Sequence, residues 1–155
     1  MSELSVLERL REHLHRCEVP FSELQHQPTR TSEEAAEARG EELKIGGKAL
    51  VLKLDGQFAL FVLPADQRLD SKAIKRQLSA KKSRFASQEE LWELTGLVPG
   101  SVPPFGRPVL PLPLFVDHRL TENSRVAFNA GSLSVSFMMQ MADYLNAAQP
   151  TVLQV

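Results

Sequence analysis

Cysteine is almost missing from this 155-residue chain. Cys17 stands alone, so no internal disulfide can form, and without a Cys-x-x-Cys pair there is neither a structural zinc motif nor a thioredoxin-like redox pair. An excess of one charge is lacking too. The 18 Lys and Arg against 19 Asp and Glu leave a formal net charge of -1, which removes the case for broad, nonspecific nucleic-acid binding but leaves room for one local basic cleft. No stretch approaches the ~18 uncharged apolar residues of a membrane span. The polar start of the chain resembles no signal peptide, so a soluble, cytoplasmic protein without membrane attachment is expected. Repeats and low-complexity tracts are absent, and the prolines concentrate between residues 99 and 113 rather than at a boundary, so residues 1–155 are expected to form a single domain. Neither a G-x-G-x-x-G nor a G-x-x-x-x-G-K-[ST] occurs, which argues against a doubly wound nucleotide fold.

Periodicity supplies the elements. Leu4, Leu7, Leu10, Leu14 and Cys17 recur at three- and four-residue steps, the stripe of an amphipathic helix that Val19 and Pro20 end. Phe21 to Gln25 reads as a short strand. Thr31 and Glu34 have capping-box spacing for a helix that Gly40 stops. Lys48 to Leu54 and Gln57 to Leu63, separated only by Asp55 and Gly56, predict a β-hairpin. Asp70 caps a helix with Ala73, Ile74 and Leu78 inward, Ser83 to Ala86 is a short strand, and Ser87 with Glu90 opens a helix that Gly96 closes. Val109 to Val116 reads as an edge strand because of Pro111 and Pro113. Arg125 to Ala130 and Leu133 to Phe137 are further strands, and Met139 to Ala147 is a closing helix. The expected fold is α/β of the α+β type: a mixed, largely antiparallel sheet with surrounding helices.

Familiar catalytic motifs are missing. His13 and His15 point about 200° apart on one helix and cannot share a metal, His26 and His118 are isolated, and no G-x-S-x-G elbow singles out a serine. Cys17 reads as a small buried hydrophobe. Lys48, at the mouth of the apolar hairpin, is either a snorkelling surface lysine or a functional cation. By alternation it shares a face with Leu50, Leu52 and Leu54, opposite Lys53. The loop from Gly96 to Gly106 carries Pro99, Gly100, Pro103 and Pro104, and is either a stiff connector or a rigid presenter of backbone amides to a carbonyl or phosphate. The cations Lys72, Lys75, Arg76, Lys81, Lys82 and Arg84 form either a solvated face or a phosphate track.

Taken in order, the segments 47–52, 64–70, 83–86, 89–91, 94–96, 100–106 and 128–132 resemble the YbaK/ProX family, free-standing relatives of the editing domain inserted in bacterial prolyl-tRNA synthetases, over roughly residues 20–146. The resemblance implies an aminoacyl-tRNA deacylase acting in trans on the ester between a wrong, small amino acid and the 3′ adenosine of a tRNA, tRNA-Pro among the candidates. It implies that Lys48 positions the 3′ end, that the backbone of Gly100 and Ser101 holds the aminoacyl group, and that the substrate's own ribose hydroxyl assists the attacking water. No metal or cofactor is then required. Leu50, Val102, Pro103, Pro104, Phe128, Asn129 and Gly131 are the expected substrate-binding surroundings, with Asn129 pointing either into the pocket or away from it. Phe21 stands where some relatives carry a tyrosine, so a contact through that hydroxyl is absent. The implied partners are the tRNA 3′ acceptor end and an aminoacyl-tRNA synthetase. A non-catalytic tRNA- or synthetase-binding module of the same fold is the alternative.

Overall fold

The computed structural model describes residues 4–155. Helix α1 (Val6–Arg16) begins at Ser5, whose hydroxyl accepts from the Glu8 amide, and buries Val6, Leu10 and Leu14; Val6 rather than Leu4 opens the buried stripe. After β1 (Ser22–Gln25), helix α2 (Ser32–Arg39) is capped by Thr31 and closed by Gly40 at φ 68°. The Glu34 carboxylate accepts from the Arg30 amide instead of closing the expected box on Thr31. The hairpin is as expected: β2 (Gly47–Leu54) and β3 (Gln57–Pro64) pair from Leu54↔Gln57 to Gly47↔Pro64, with Asp55 and Gly56 both at positive φ in the turn. Then come α3 (Ser71–Gln77), β4 (Ser83–Phe85) and α4 (Gln88–Thr95), the last with both capping-box bonds between Ser87 and Glu90. The remaining elements are β5 (Leu114–Asp117), α5 (His118–Thr121), β6 (Arg125–Asn129), β7 (Val135–Gln140), α6 (Met141–Ala148) and β8 (Thr151–Leu153).

The strands form two sheets. One has the order β1-β7-β6, all antiparallel; the other is β4-β2-β3-β5-β8, antiparallel as far as β3 and parallel beyond it. A single parallel bridge, Gly46↔Ala127, links them. Strand β3 is a continuous apolar run because both its faces are covered: Leu60 and Val62 join the main core with α1, the three-stranded sheet and Tyr144, while Ala59, Phe61 and Leu63 join a second cluster with Ile74.

Several expectations need correction. Val109 to Val116 is not an edge strand: only its end enters β5, which lies inside the sheet between β3 and β8. Pro111 and Pro113 lie in the turns before it, where a missing amide costs no ladder bond, and the Pro113 carbonyl still accepts from Leu60 N–H at 2.9 Å. β7 starts two residues later than expected because residues 131–134 form the turn, and α6 starts at Met141 because β7 continues to Gln140. Helix α5 and strand β8 were too short to leave a periodic signal.

Candidate active site

A cleft of about 180 Å³ opens where β2 leaves its bridge to β6. The start of β2, helix α2 and the loop around Gly100 form its walls. Lys48, Leu50, Gly100, Val102 and Asn129, remote in sequence, meet here, together with Thr29, Thr31, Ser32, Ala35 and Arg39, which the sequence did not single out.

Lys48 is half-buried on β2, on the same face as Leu50, and its Nζ donates to the Gln67 carbonyl at 2.9 Å. That carbonyl belongs to a braced turn. Gln67 Oε1 accepts from Arg119 Nη1 at 2.7 Å, and Arg119 grips the fully buried Asp117 through Nε at 3.0 Å and Nη2 at 2.8 Å. Burial alone would raise the Asp117 pKa, but the hydrogen bonds from the Arg119 side chain, the Arg119 amide and the Val155 amide outweigh it and hold the carboxyl below its ordinary range. The lysine is thereby held at one height on the cleft wall while keeping two further N–H donors.

The loop is an amide presenter in part. Gly100 adopts φ 88°, and no acceptor among the described residues takes its amide or that of Val102. Ser101 differs from expectation: its amide (3.1 Å) and hydroxyl (2.7 Å) both donate to the Val98 carbonyl, so neither is available to a substrate. Pro103, Pro104, Phe128 and Gly131 also do not reach the cleft but build its support. The Pro104 carbonyl accepts from the buried Tyr144 hydroxyl at 2.7 Å, and Phe105 stacks edge-on against both Phe128 and Tyr144, which fixes the loop to the core. Gly131, at φ 82°, donates to the Ser101 carbonyl at 2.9 Å; a Cβ there would lie 3.1 Å from the Leu7 amide nitrogen, so its close approach is to α1 and not to the cleft.

Arg39 is the residue that sequence reasoning missed. It sits in the last turn of α2, where a cation is the ordinary complement of a helix end, so nothing in the sequence marks it. Its Nε donates to Ser136 Oγ at 2.8 Å and its Nη2 to Asn129 Oδ1 at 3.0 Å, while Nη1 has no acceptor among the described residues. Among the described residues no carboxylate forms an ion pair with it, Glu41 being paired with Arg125, and burial, only partly opposed by the charge of Glu41, draws its pKa down to about 10, so it remains a cation at neutral pH. Asn129 points inward as a brace: its Nδ2 donates to the Gly100 carbonyl at 2.7 Å and its Oδ1 receives Arg39, tying the arginine to the loop.

Neither histidine nor cysteine lines the cleft. Cys17 lies half-buried on the α1 stripe with Sγ 3.7 Å from His13 Nε2. Among the described residues no group of three or more His, Cys, Asp or Glu side chains is arranged to hold a metal ion. The basic group read from the sequence stays outside the cleft, with Arg84 paired to Glu90 at 2.7 Å. No described helix is long and apolar enough to cross a membrane.

Comparison with known proteins identifies the family and the fold. The family model of the aminoacyl-tRNA editing domain matches residues 26–147. The multifunctional Ser/Thr-tRNA deacylase ProXp-y of Escherichia coli K12 is 39% identical over 136 residues, covering 84% of this chain and 80% of that protein. The proline–tRNA ligase of Shouchella clausii is 34% identical over 109 residues, 70% of this chain and 19% of that much longer protein. Among solved structures, a proposed trans-editing enzyme for prolyl tRNA synthetase superposes with a TM-score of 0.82 at 29% identity, covering 99% of this chain and 98% of that one.

Proposed function

Because the chain belongs to the aminoacyl-tRNA editing domain family, we propose that it is a deacylase which removes a small, mischarged amino acid from tRNA in trans, acting in the cytoplasm on the 3′ acceptor end. The observation that carries this reading is the convergence of two cations, Lys48 and Arg39, and two unclaimed loop amides, Gly100 and Val102, on a cleft with no nucleophile–base pair. Such a site can position an activated ester and stabilise charge developing on its carbonyl oxygen, and it needs no protein nucleophile.

In this reaction a water oxygen bonds to the ester carbonyl carbon, and the Gly100 and Val102 amides together with Arg39 Nη1 take the developing negative charge. Collapse breaks the bond to the ribose oxygen, which leaves as a hydroxyl, while the amino acid leaves as a carboxylate. The substrate's neighbouring ribose hydroxyl relays one of the water's protons to the leaving ribose oxygen, and the other passes to solvent as the carboxylic acid ionises. Lys48 acts as a fixed point charge for the 3′ end. The polar wall of Thr29, Thr31 and Ser32, with the likeness to the Ser/Thr-tRNA deacylase, favours serine and threonine as the first amino acids to try, and tRNA-Pro is a candidate carrier given the prolyl-tRNA ligase relative. An aminoacyl-tRNA synthetase is the partner that would deliver such a substrate.

The test is a panel of tRNAs carrying correct and incorrect labelled amino acids, incubated with the wild-type protein and with Lys48→Ala. Selective loss of one mischarged amino acid, slowed at least tenfold in a folded Lys48→Ala variant, is expected. Hydrolysis unaffected by the substitution removes Lys48 from the mechanism; tRNA binding without any hydrolysis replaces the enzyme by a binding module.

A further inference from the structure

A second pocket of about 150 Å³ adjoins the cleft and shares with it Ala49, Leu50, Gly100 and Val102. Its far wall carries Phe85, on the edge strand β4, which is 57% exposed although a large aromatic on an edge strand would ordinarily be covered or replaced. The backbone along the pocket is equally unusual. In the hairpin the closing pair Leu54↔Gln57 exchanges both its bonds, so alternation turns the backbone groups of Lys48, Leu50 and Leu52 toward β3 and those of Ala49, Val51 and Lys53 away from it. Lys53 meets Arg84 of β4, and the Val51 carbonyl accepts from Ala86 N–H at 2.9 Å. There β4 ends. The Val51 N–H and the Ala49 carbonyl, on the same edge, have no partner among the described residues.

We infer that this pocket binds the adenine base of the substrate's terminal nucleotide, an assignment that rests on the deacylase reading above. A carbonyl and an amide two residues apart on one strand edge present an acceptor beside a donor. Adenine's Watson–Crick edge presents the complement, its 6-amino group as donor next to N1 as acceptor. Phe85 supplies the apolar face on which the ring stacks, while Ala86 and Pro99 complete an uncharged wall suited to a base and not to a phosphate. The four shared residues form the ridge between the pockets, so an aminoacyl group in the first leaves its ribose over the ridge and its base in the second. The strand edge thus reads the terminal base and the cleft reads the amino acid.

Mischarged tRNA ending in adenosine and the same tRNA ending in inosine, whose 6-oxo group and N1–H invert the pattern, separate the possibilities. Wild-type protein is expected to favour the adenosine end about tenfold or more in kcat/KM, chiefly through KM. Phe85→Ala should raise KM for that end by about tenfold, with Phe85→Tyr restoring it, since stacking on a base is removed and regained. Phe85 is exposed, so these variants fold. Equal kcat/KM for the two ends, or an unaltered KM in Phe85→Ala, overturns the adenine site and leaves the deacylase reading intact. If wild type hydrolyses neither, amide NMR during adenosine and inosine titrations decides. A Val51 amide shift with adenosine alone keeps the site and refutes the deacylase; no shift with either nucleoside refutes both.

Discussion

Replacing Arg39 with methionine keeps an unbranched side chain of similar length and deletes the charge. In the folded protein burial lowers the guanidinium pKa from the ordinary arginine range to about 10, which corresponds to about 3 kcal/mol of desolvation carried by the native state. The sign follows from which form is disfavoured. A base whose folded pKa is depressed destabilises the fold wherever it is charged in both states, so this penalty is present in full below about pH 10 and is relieved only above it. Methionine removes the penalty and also forfeits the bonds to Ser136 (2.8 Å) and Asn129 (3.0 Å), each worth roughly 1.5–3 kcal/mol for a charged donor. The two sides partly cancel, and the variant should lose no more than about 3 kcal/mol relative to wild type.

Activity should not cancel. Nη1 is the donor the fold leaves unused, and losing one preorganised donor to a developing charge typically costs about 10²–10³ in rate. Urea unfolding measures the first quantity and single-turnover deacylation the second. Arg39→Lys, which keeps the charge without the planar fork, should recover part of the rate. A folded Arg39→Met variant with wild-type turnover refutes the assignment. So does destabilisation well beyond 3 kcal/mol accompanied by normal turnover of the folded fraction, which would make Arg39 a structural brace.

Two predictions concern the frame that holds the site. Because the Asp117 pKa is depressed in the fold, its contribution to stability is present above the ordinary carboxylate value of about 4 and is lost as pH falls through the lower folded value. Asp117→Asn should therefore cost about 2–3 kcal/mol at pH 7, toward the low end for a broken buried pair because Arg119 is partly exposed, and progressively less in acid. An equal cost in urea melts at pH 7 and pH 3 contradicts the ionised pair. Gly106→Ala would bring a Cβ to 2.5 Å from the Leu112 carbonyl oxygen, a backbone atom that cannot swing aside, and should lower Tm by about 10 °C, equivalent to roughly 3 kcal/mol in a chain of this size. A Tm within 2 °C of wild type means that the turn following the loop is looser than this contact implies.

Features carried by neighbouring residues were legible in the sequence. The Asp55–Gly56 turn fixed the hairpin register to the residue, and with it the face of Lys48, because a two-residue loop allows only one pairing. Capping side chains at Ser87 and Asp70 likewise located their helices. The central position of β5 was hidden, since proline content argues only about the residues whose amides are missing and the strand begins after Pro113. Within the G-x-x-x-P segment the sequence located the loop but not its division of labour. Which amide stays unclaimed depends on the turn that consumes Ser101 and on the Tyr144 contact from a distant helix. Arg39 and Asn129 are 90 residues apart and become one unit only through the fold.

The absence of any catalytic motif and the location of the cleft have a common cause. Two strands meet this part of the chain at different points: β6 bridges Gly46, the residue before β2, and β4 pairs with β2 only from Leu52 onward. Between those points one edge of β2 has no strand beside it, and the cleft and its adjoining pocket occupy that gap. A gap in a sheet exposes backbone donors and acceptors that would otherwise be consumed, and the loop opposite, fixed at Pro104, adds the amides of Gly100 and Val102. Most of the recognition surface is therefore main chain, which any residue type can supply. In the proposed reading the side chains add the positive charges of Lys48 and Arg39, the hydroxyl wall of Thr29, Thr31 and Ser32, and the ring of Phe85. Reading residue types alone finds Lys48 and Gly100 and misses Arg39, because the fold supplies the rest by leaving a strand edge unpaired.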